Sequence, residues 1–352
     1  MKLSLGVIFG SNSTEYEVSL LSAASVLRNV DRERFDVTMI GITREGKWYH
    51  YFGDIDSIEN GEWVNSPDKI PAFIAPDPTI GGLFKENGET IKLDVVFPVL
   101  HGKNGEDGTI QGLLSLAQIP FVGCDTLSSA ICMDKDLTHI VLTHANIPNA
   151  RWVTIKKSES YENLPELFKQ CEIRLGYPMF VKPANAGSSV GIRKVKNRDE
   201  LVEAVMYAHQ FDTKAVIEEF VKGREVECAV MGNDSPTASV LGEICPCNEF
   251  YDYDAKYQSA SETFIPARVD EKTEKLIKET AIKAYKALGC SGLTRVDFFV
   301  KDSGGICIIE PNTLPGFTSI SMYPQLRQKS GQTYSEVITS LIAYALEKSL
   351  GE

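Results

Sequence analysis

Apolar and polar positions follow two different rhythms in the first part of the chain. Segments dominated by apolar residues at 3–9, 35–43 and 93–102 predict buried strands. Apolar residues three or four positions apart at 15–30 and 108–117 predict amphipathic helices. Strands that alternate with helices are typical of a parallel sheet covered by helices. The pattern therefore predicts a Rossmann-like α/β domain.

The rest of the chain has a more mixed α/β pattern. Helices are predicted at 135–146, 163–174, 198–210, 271–289 and 333–350, and strands at 151–156, 214–221, 224–232, 238–244, 293–300 and 306–312. We expect three domains: residues 1–132, the central residues 133–223, and the C-terminal residues 224–352.

Charge and composition restrict the class of function. The 352 residues carry a formal net charge of −12, which argues against a nucleic-acid-binding protein. No apolar run approaches the roughly 18–20 residues that span a bilayer, and the first ten residues are too short for a signal peptide. Cys245 and Cys247 lack the second pair that a zinc site needs. We expect the eight cysteines to be mostly buried free thiols, in the reducing cytoplasm.

The predicted hairpin at 293–312 carries polar residues inside apolar strands. Alternation places Arg295 and Asp297 on one face of their strand, and Glu310 and Asn312 on one face of the next. If the two faces coincide, carboxylate and amide oxygens without histidine or cysteine suit Mg²⁺. The alternative is a structural salt bridge between Arg295 and a carboxylate.

The segment at 180–195 combines a strand with a glycine-bearing turn that could grip phosphate. Lys182 precedes the turn, which contains Ser188 and Ser189, and Lys135 is a second candidate cation. No Walker A or dinucleotide-binding glycine pattern occurs. A simple hairpin tip is the alternative.

The start of the first predicted helix is acidic. Glu15 and Glu17 suit the helix dipole but would repel a phosphate, so Glu15 is a candidate to hold an ammonium group. Helix capping by Ser13 or Thr14 is the alternative. His101 lies at the carboxyl end of a strand, the usual ligand side, although a local hydrogen-bonding role is the alternative.

A charged strand and a long loop are the remaining candidates. Glu218, Glu225 and the backbone of Phe220 and Val221 could contact adenine and ribose, although a solvated charge run is the alternative. The polar and aromatic stretch at 246–263 has too little aliphatic content for a core strand and is typical of a lid, with an ordinary surface loop as the alternative.

Together these segments resemble the D-alanine–D-alanine ligase family over nearly the whole chain. The matching motifs are GSNSTEYEVSL, VFPVLHGKNGEDGTIQG, MDK, VKPANAGSSVGI, EEFVKGREVE, FYDYDAKY, TRVDFF and EPNTLPGFTSISMYP. The resemblance implies an α/β (α+β) protein with an ATP-grasp fold, in which two subdomains clasp ATP after the N-terminal Rossmann-like domain.

The resemblance also implies a role for each candidate site residue. ATP would be held by Lys135, Lys182, Ser189, Glu218, Phe220, Val221, Glu225 and, from the lid, Lys256. Two Mg²⁺ ions, or Mn²⁺ as a substitute, would be bound by Asp297, Glu310 and Asn312. Glu15, Ser188 and Tyr257 would tie the lid to the first amino-acid site, near His101; Arg295 and the Gly316 amide would stabilise an oxyanion; and Ser321 and Met322 would bind the second substrate.

The activity implied by the resemblance is ATP-dependent ligation of two D-alanines through an acyl phosphate, for peptidoglycan precursors, by a cytoplasmic homodimer. The family's D-lactate ligases lack the lid pair that is present here as Lys256 and Tyr257. Its D-serine ligases typically carry an arginine in place of Met322, and an apolar side chain favours D-alanine. A D-alanine–D-serine ligase, another ATP-grasp carboxylate–amine ligase, and a non-catalytic amino-acid or nucleotide sensor remain the alternatives.

Overall fold

The N-terminal part of the protein contains a mixed sheet of seven strands. The computed structural model describes residues 2–159, 162–187, 190–245 and 262–351. The sheet has the order β6-β5-β4-β3-β2-β1-β7, formed by β1 (Leu3–Gly10), β2 (Phe35–Ile42), β3 (Trp48–Tyr51), β4 (Lys69–Ile74), β5 (Gly82–Lys85), β6 (Thr90–Lys92) and β7 (Val95–Val99).

The three N-terminal strands predicted from the sequence pair in parallel as expected, but the sheet as a whole is mixed. Strand β1 pairs in parallel with β2 and β7, whereas β2 to β6 form successive antiparallel pairs. Residues 43–47 join β2 to β3, and so short a connection cannot make the crossover that a parallel pair requires. The Rossmann-like pattern is therefore limited to β1, β2 and β7 with the helices beside them.

The central part is an antiparallel sheet of four strands in the order β10-β9-β11-β8. Its strands are β8 (Trp152–Lys156), β9 (Met179–Pro183), β10 (Arg193–Val195) and β11 (Lys214–Glu219), and α6 (Leu164–Arg174) and α7 (Arg198–Ala208) accompany it. Phe168 of α6 and Leu201 of α7 are buried in one apolar cluster with Val181 and Ile217 of the sheet. The helices therefore cover one face of the sheet and leave the other to the cleft.

The C-terminal sheet has five antiparallel strands in the order β14-β13-β12-β15-β16. They are β12 (Gly223–Gly232), β13 (Thr237–Cys245), β14 (Glu262–Phe264), β15 (Gly292–Lys301) and β16 (Ile306–Asn312). Helix α8 (Glu271–Ala287) begins after Asp270, whose carboxylate accepts a hydrogen bond from the Thr273 amide. Its residues Ile277, Ala281 and Ala284 recur at helical spacing and are buried.

Shared core packing joins the N-terminal and C-terminal parts. Helix α1 (Tyr16–Asn29) and the last helix, α10 (Tyr334–Gly351), contribute to one apolar cluster. That cluster includes Val26 of α1, Leu341 of α10 and Leu293 of β15. This packing holds the candidate residues that precede β8 in the sequence close to those on β15 and β16.

Several short elements were not predicted from the pattern. They are α2 (Ile55–Glu59), a 3-10 turn (Glu62–Asn65), α4 (Thr126–Met133), α9 (Met322–Lys329) and strands β3 to β6 and β14. Helices α3 (Thr109–Leu116) and α5 (Lys135–His144) agree with the prediction. Elements of three to eight residues give little periodic signal. Within the described ranges we find no helix with the length and hydrophobicity needed to cross a membrane.

Candidate active site

Two adjoining cavities form a continuous cleft between the sheets. Lys135, Glu227 and Glu310 line both cavities. The first cavity also contains the predicted residues Glu15, His101, Arg295, Asn312, Gly316, Ser321 and Met322. The second also contains Lys182, Glu218, Val221, Glu225 and Asp297. Residues predicted from distant segments thus meet in one place.

Among the predicted residues that the structure describes, Phe220 lines neither cavity. Phe220 lies beside the cleft, with its ring 6.0 Å from that of Phe180 and beneath the Lys194 ammonium. Ser188, Ser189, Lys256 and Tyr257 lie outside the described residues, as does most of the predicted lid, so their assignments stay predictions.

The C-terminal hairpin has the register that brings its polar residues together. Arg295 is paired with Asn312, and Asp297 with Glu310. The Arg295 Nε and Nη2 atoms donate to the two oxygens of Asp297, each at 2.8 Å, and Nε lies 3.2 Å from Glu227 Oε2. Burial lowers the pKa of Arg295, but the two carboxylates outweigh that effect and raise it above its usual range.

The hairpin also contains a buried polar atom that the described part of the protein leaves without a partner. The Oδ1 atom of Asn312 is buried and has no hydrogen-bond partner among the described residues. A buried amide oxygen without a partner is costly, so a bound group would stabilise it. The salt bridge that was the alternative prediction is present, and the oxygen-rich edge beside it remains suited to a cation.

Lys182 on β9 and Glu218 on β11 form a buried ion pair in the second cavity. Lys182 Nζ donates to Glu218 Oε2 at 2.6 Å, because neighbouring strands place Val216 opposite Lys182 and bring Glu218 one step along the same face. Burial raises the pKa of Glu218, but Lys182 and His139 outweigh it, so that the pKa lies below its usual range. The lysine predicted to bind phosphate thus has a carboxylate partner in this structure.

Sequence reasoning missed His139, which donates to the other side of this carboxylate. Its Nε2 lies 3.1 Å from Glu218 Oε1. His139 follows Lys135 by four residues on α5, so both side chains lie on the same face of the helix. That spacing was the signal available in the sequence.

The start of α5 holds Lys135 against the glycine-bearing turn. The carboxylate of Asp134 caps the helix by accepting from the amides of Asp136 and Leu137, and Lys214 pairs with the same carboxylate. Lys135 Nζ donates to the carbonyl oxygen of Ala186 at 2.8 Å. Lys135 is therefore positioned at the junction of the turn and both cavities.

Glu15 lies where two backbone turns approach the first cavity. A Cβ atom added to Gly102 would be 2.3 Å from Glu15 Oε2, and one added to Gly187 would be 3.1 Å from it. Both glycines therefore leave room for this carboxylate. Ser13 Oγ accepts from the Glu15 amide at 3.1 Å, a contact of the kind that the capping alternative predicts. Glu15, which directly precedes α1, makes no side-chain cap itself.

His101 lines the first cavity while both of its ring nitrogens are engaged within the protein. Nδ1 is 3.0 Å from the Leu314 carbonyl oxygen, and Nε2 is 3.0 Å from Ser22 Oγ. These contacts connect the N-terminal sheet to the loop before α9. They fit the alternative prediction of a local hydrogen-bonding role.

The far end of the first cavity is formed by the N-terminus of α9. Ser321 Oγ accepts from the Thr318 amide at 3.0 Å, and Met322, the first residue of the helix, is buried. A Cβ atom on Gly316 would be 2.8 Å from Ser321 Oγ, so only glycine allows this close approach. The amides at this helix start can donate hydrogen bonds to a carboxylate.

Comparison with known proteins agrees with this geometry. The family models described as "D-ala D-ala ligase N-terminus" and "D-ala D-ala ligase C-terminus" match residues 4–124 and 141–343. A D-alanine--D-alanine ligase of Acetivibrio thermocellus is 51% identical over 97% of this chain and 95% of its own length. One from Ruminiclostridium cellulolyticum is 47% identical over 99% of this chain and 96% of its length.

Solved structures are similar over their whole length. The VanG D-Ala:D-Ser ligase from Enterococcus faecalis has a TM-score of 0.91 and 46% identity, covering 98% of this chain and 100% of that one. The D-alanine-D-alanine ligase from Coxiella burnetii has a TM-score of 0.87 and 34% identity, covering 99% and 97%. The resemblance and the fold predicted from the sequence are confirmed: the chain belongs to the D-alanine–D-alanine ligase family of ATP-dependent enzymes, with the ATP-grasp fold.

Proposed function

We propose that this protein joins two D-alanines into D-alanyl-D-alanine, with ATP as the energy source, for peptidoglycan precursor synthesis. The observation that carries the proposal is the shared cleft. Its second cavity combines Lys182 and Lys135 with the carboxylates of the hairpin, as a nucleotide phosphate chain requires. Its first cavity combines Glu15, Arg295 and the start of α9, as two amino acids require.

On the nucleotide side, the lysines would bind phosphate oxygens, while Glu218 and the Val221 backbone contact adenine and Glu225 the ribose. These residues line the second cavity. Phosphoryl transfer depends mainly on positioning and charge neutralisation, and the lysines would supply the positive charge.

Asp297, Glu310 and Asn312 fit a magnesium site. The donors are two carboxylates and an amide oxygen, and the buried Asn312 Oδ1 has no described hydrogen-bond partner. We propose two Mg²⁺ ions here, with Mn²⁺ as a substitute; when bound, they would neutralise phosphate charge. In the described ranges no three histidine, cysteine, aspartate or glutamate side chains converge on a metal position, which agrees with a site completed by an amide and by substrate phosphates.

On the amino-acid side, Glu15 would hold the ammonium of the first D-alanine, whose carboxylate attacks the γ-phosphate to give an acyl phosphate and ADP. The amine of the second D-alanine would then attack the carbonyl carbon, lose a proton and expel phosphate. Arg295 and the Gly316 amide would stabilise the oxyanion that forms in this step. Ser321 and the backbone of Met322 would hold the second carboxylate.

D-serine is the second candidate acceptor, because the similar VanG structure is titled a D-Ala:D-Ser ligase. Met322 is buried and lines the acceptor end of the cavity, where a thioether fits a methyl group and offers a serine hydroxyl no strong hydrogen bond. We therefore favour D-alanine as the acceptor.

A competition assay tests this proposal. Purified protein is incubated with ATP, Mg²⁺ and D-alanine, with D-serine or D-lactate added at equal subsaturating concentration, and the products are identified by mass spectrometry. D-Alanyl-D-alanine should be the main product, with one ADP formed per dipeptide. Faster formation of the D-serine product would refute the acceptor assignment, and no ADP formation on addition of D-alanine would refute the ligase assignment.

A variant pair tests the metal assignment. Asp297→Asn should abolish Mg²⁺-dependent ligation, whereas Asp302→Asn should leave it unchanged, because Asp302 lies in the exposed turn of the same hairpin and pairs with Lys222. Equal activity in the two variants would contradict the assignment.

We further propose a homodimer located in the cytoplasm, and domains at residues 1–132, 133–223 and 224–352. The change of sheet near residue 223 supports the second boundary. Light scattering after size exclusion tests the dimer, and limited proteolysis tests the boundaries.

A further inference from the structure

His139 is buried between the nucleotide cavity and the end of α5. Only 3% of the residue is exposed. Its ring stacks on that of Trp152, with centroids 4.8 Å apart and planes 15° apart. Nε2 lies 3.1 Å from Glu218 Oε1, and Nδ1 lies 3.0 Å from Asn149 Oδ1. The ring is therefore fixed in its plane and at both nitrogens.

Both partners of the His139 ring are hydrogen-bond acceptors. The Asn149 amide nitrogen donates to the Ile147 carbonyl oxygen at 2.9 Å and to Thr143 Oγ1 at 3.1 Å, which leaves Oδ1 facing His139. The other partner is a carboxylate. A carboxylate oxygen only accepts, so Nε2 of His139 donates to Glu218.

Two hydrogen-bond donors thus flank one carboxylate. Lys182 occupies Glu218 Oε2 at 2.6 Å, and His139 occupies Oε1. If a nucleotide phosphate does not lie beside Glu218, Lys182 must break this short contact in order to reach it. If Lys182 alone neutralised Glu218, its movement would leave a buried carboxylate unpaired, which is strongly unfavourable.

We propose that His139 is a positioning residue of the nucleotide site: it keeps Glu218 paired, so that Lys182 can transfer from Glu218 to the phosphate chain when a nucleotide binds. This inference rests on the proposed ATP-dependent function. His139 touches no phosphate itself and acts through Glu218. His139 should therefore increase the affinity for ligands that carry phosphates, and have little effect on the affinity for adenosine.

The test compares the affinities for ATP and for adenosine by isothermal titration calorimetry. His139→Phe keeps a ring that can stack on Trp152 but removes the hydrogen-bond donor to Glu218. It should weaken ATP binding about tenfold or more, since hydrogen bonds to charged groups are among the strong ones, and change adenosine binding less than about threefold. In assays of ligation, KM for ATP should rise more than kcat falls. His139→Gln, which keeps an N–H donor, should recover much of the ATP affinity.

Two further variants serve as controls. His209→Gln removes another buried histidine of the central part, whose Nε2 contacts the Ile155 carbonyl oxygen. This variant should leave both affinities unchanged. In a Glu218→Gln background no carboxylate remains opposite His139, so His139→Phe should no longer alter the ratio of ATP to adenosine affinity. This second comparison also stands if the single variant does not fold.

The outcomes separate the inference from the function on which it rests. Equal losses of ATP and adenosine affinity in His139→Phe would indicate a merely structural role and overturn the inference. An undiminished effect in the Glu218→Gln background would overturn it as well. Failure of the unaltered protein to bind ATP would instead refute the proposed function.

Discussion

Replacing Arg295 by methionine should destabilise the protein strongly. The change removes the bidentate contact to Asp297 and the contact to Glu227. Asp297 and Glu227 are only 7% and 5% exposed, so neither can be rehydrated without disturbing the sheet. Removing one partner of a buried ion pair typically costs about 3–5 kcal/mol. We expect the free energy of unfolding in EDTA to fall by about that amount.

The matched control is Arg28→Met. Arg28 also contacts two carboxylates, Asp56 and Glu59, each at 2.6 Å, but its side chain is 40% exposed and Asp56 is 83% exposed. Solvent screens such pairs, and the expected loss is about 1 kcal/mol or less. Each arginine contacts two carboxylates, so the two variants differ mainly in burial.

Urea unfolding followed by tryptophan fluorescence measures both losses. Mg²⁺ should restore part of the stability of Arg295→Met, because a cation can replace the guanidinium beside Asp297; at 100 times its Kd a ligand stabilises by about 2.7 kcal/mol. Mg²⁺ should have no effect on the loss caused by Arg28→Met. If Arg295→Met costs no more than Arg28→Met in EDTA, the argument from burial is wrong.

Two further predictions concern β13. A Cβ atom on Gly242 would lie 2.6 Å from Met322 Sδ and 3.0 Å from Leu326 Cδ2, so Gly242→Ala should push Met322 into the acceptor cavity. In steady-state kinetics we expect a several-fold rise in KM for the second D-alanine, a smaller rise for the first, and recovery in the double variant that adds Met322→Ala. Equal rises in the two KM values would contradict this prediction. Burial raises the pKa of Glu243, but Arg268 and a second arginine outweigh it and keep the pKa below its usual range. A depressed carboxyl pKa contributes stability above its unfolded value of about 4.3, and that contribution disappears as the pH falls through the folded-state pKa. Glu243→Gln should therefore lower Tm at pH 7 and flatten its decline in acid, and an unchanged acid limb would show that another group is responsible.

Predictions from the sequence succeeded where one element decided the outcome. In the hairpin of β15 and β16, alternation along each strand correctly groups Arg295 with Asp297 and Glu310 with Asn312. The pairing of Asp297 with Glu310 depends in addition on a register shift between Asp297 and Phe298, which the pattern does not predict. The cysteine prediction also agrees, since the seven described cysteines are free, and six of them are buried. Both conclusions depend on residues close together in sequence or on simple hydrophobicity.

Predictions were incomplete where the partner came from another element. Lys182 was correctly assigned to the cleft, but its pairing with Glu218 was not foreseen, because nothing in either strand alone specifies that β9 and β11 are neighbours. The role of His139 was missed for the same reason. In the N-terminal sheet, strands β3 to β6 are too short for a periodic signal, and their antiparallel pairing depends on connections rather than on residue pattern.

The sequence by itself determined the helices and longer strands, the order of the motifs and the family to which they point, because periodicity and local chemistry act over a few residues. Only the tertiary structure decided which charges meet: His139 and Glu218 are 79 positions apart, and His101 and Leu314 are 213 apart. Such contacts form because the apolar core fixes how the sheets and helices pack against one another. The packing of that core, and no single segment, therefore determines the electrostatics of the cleft.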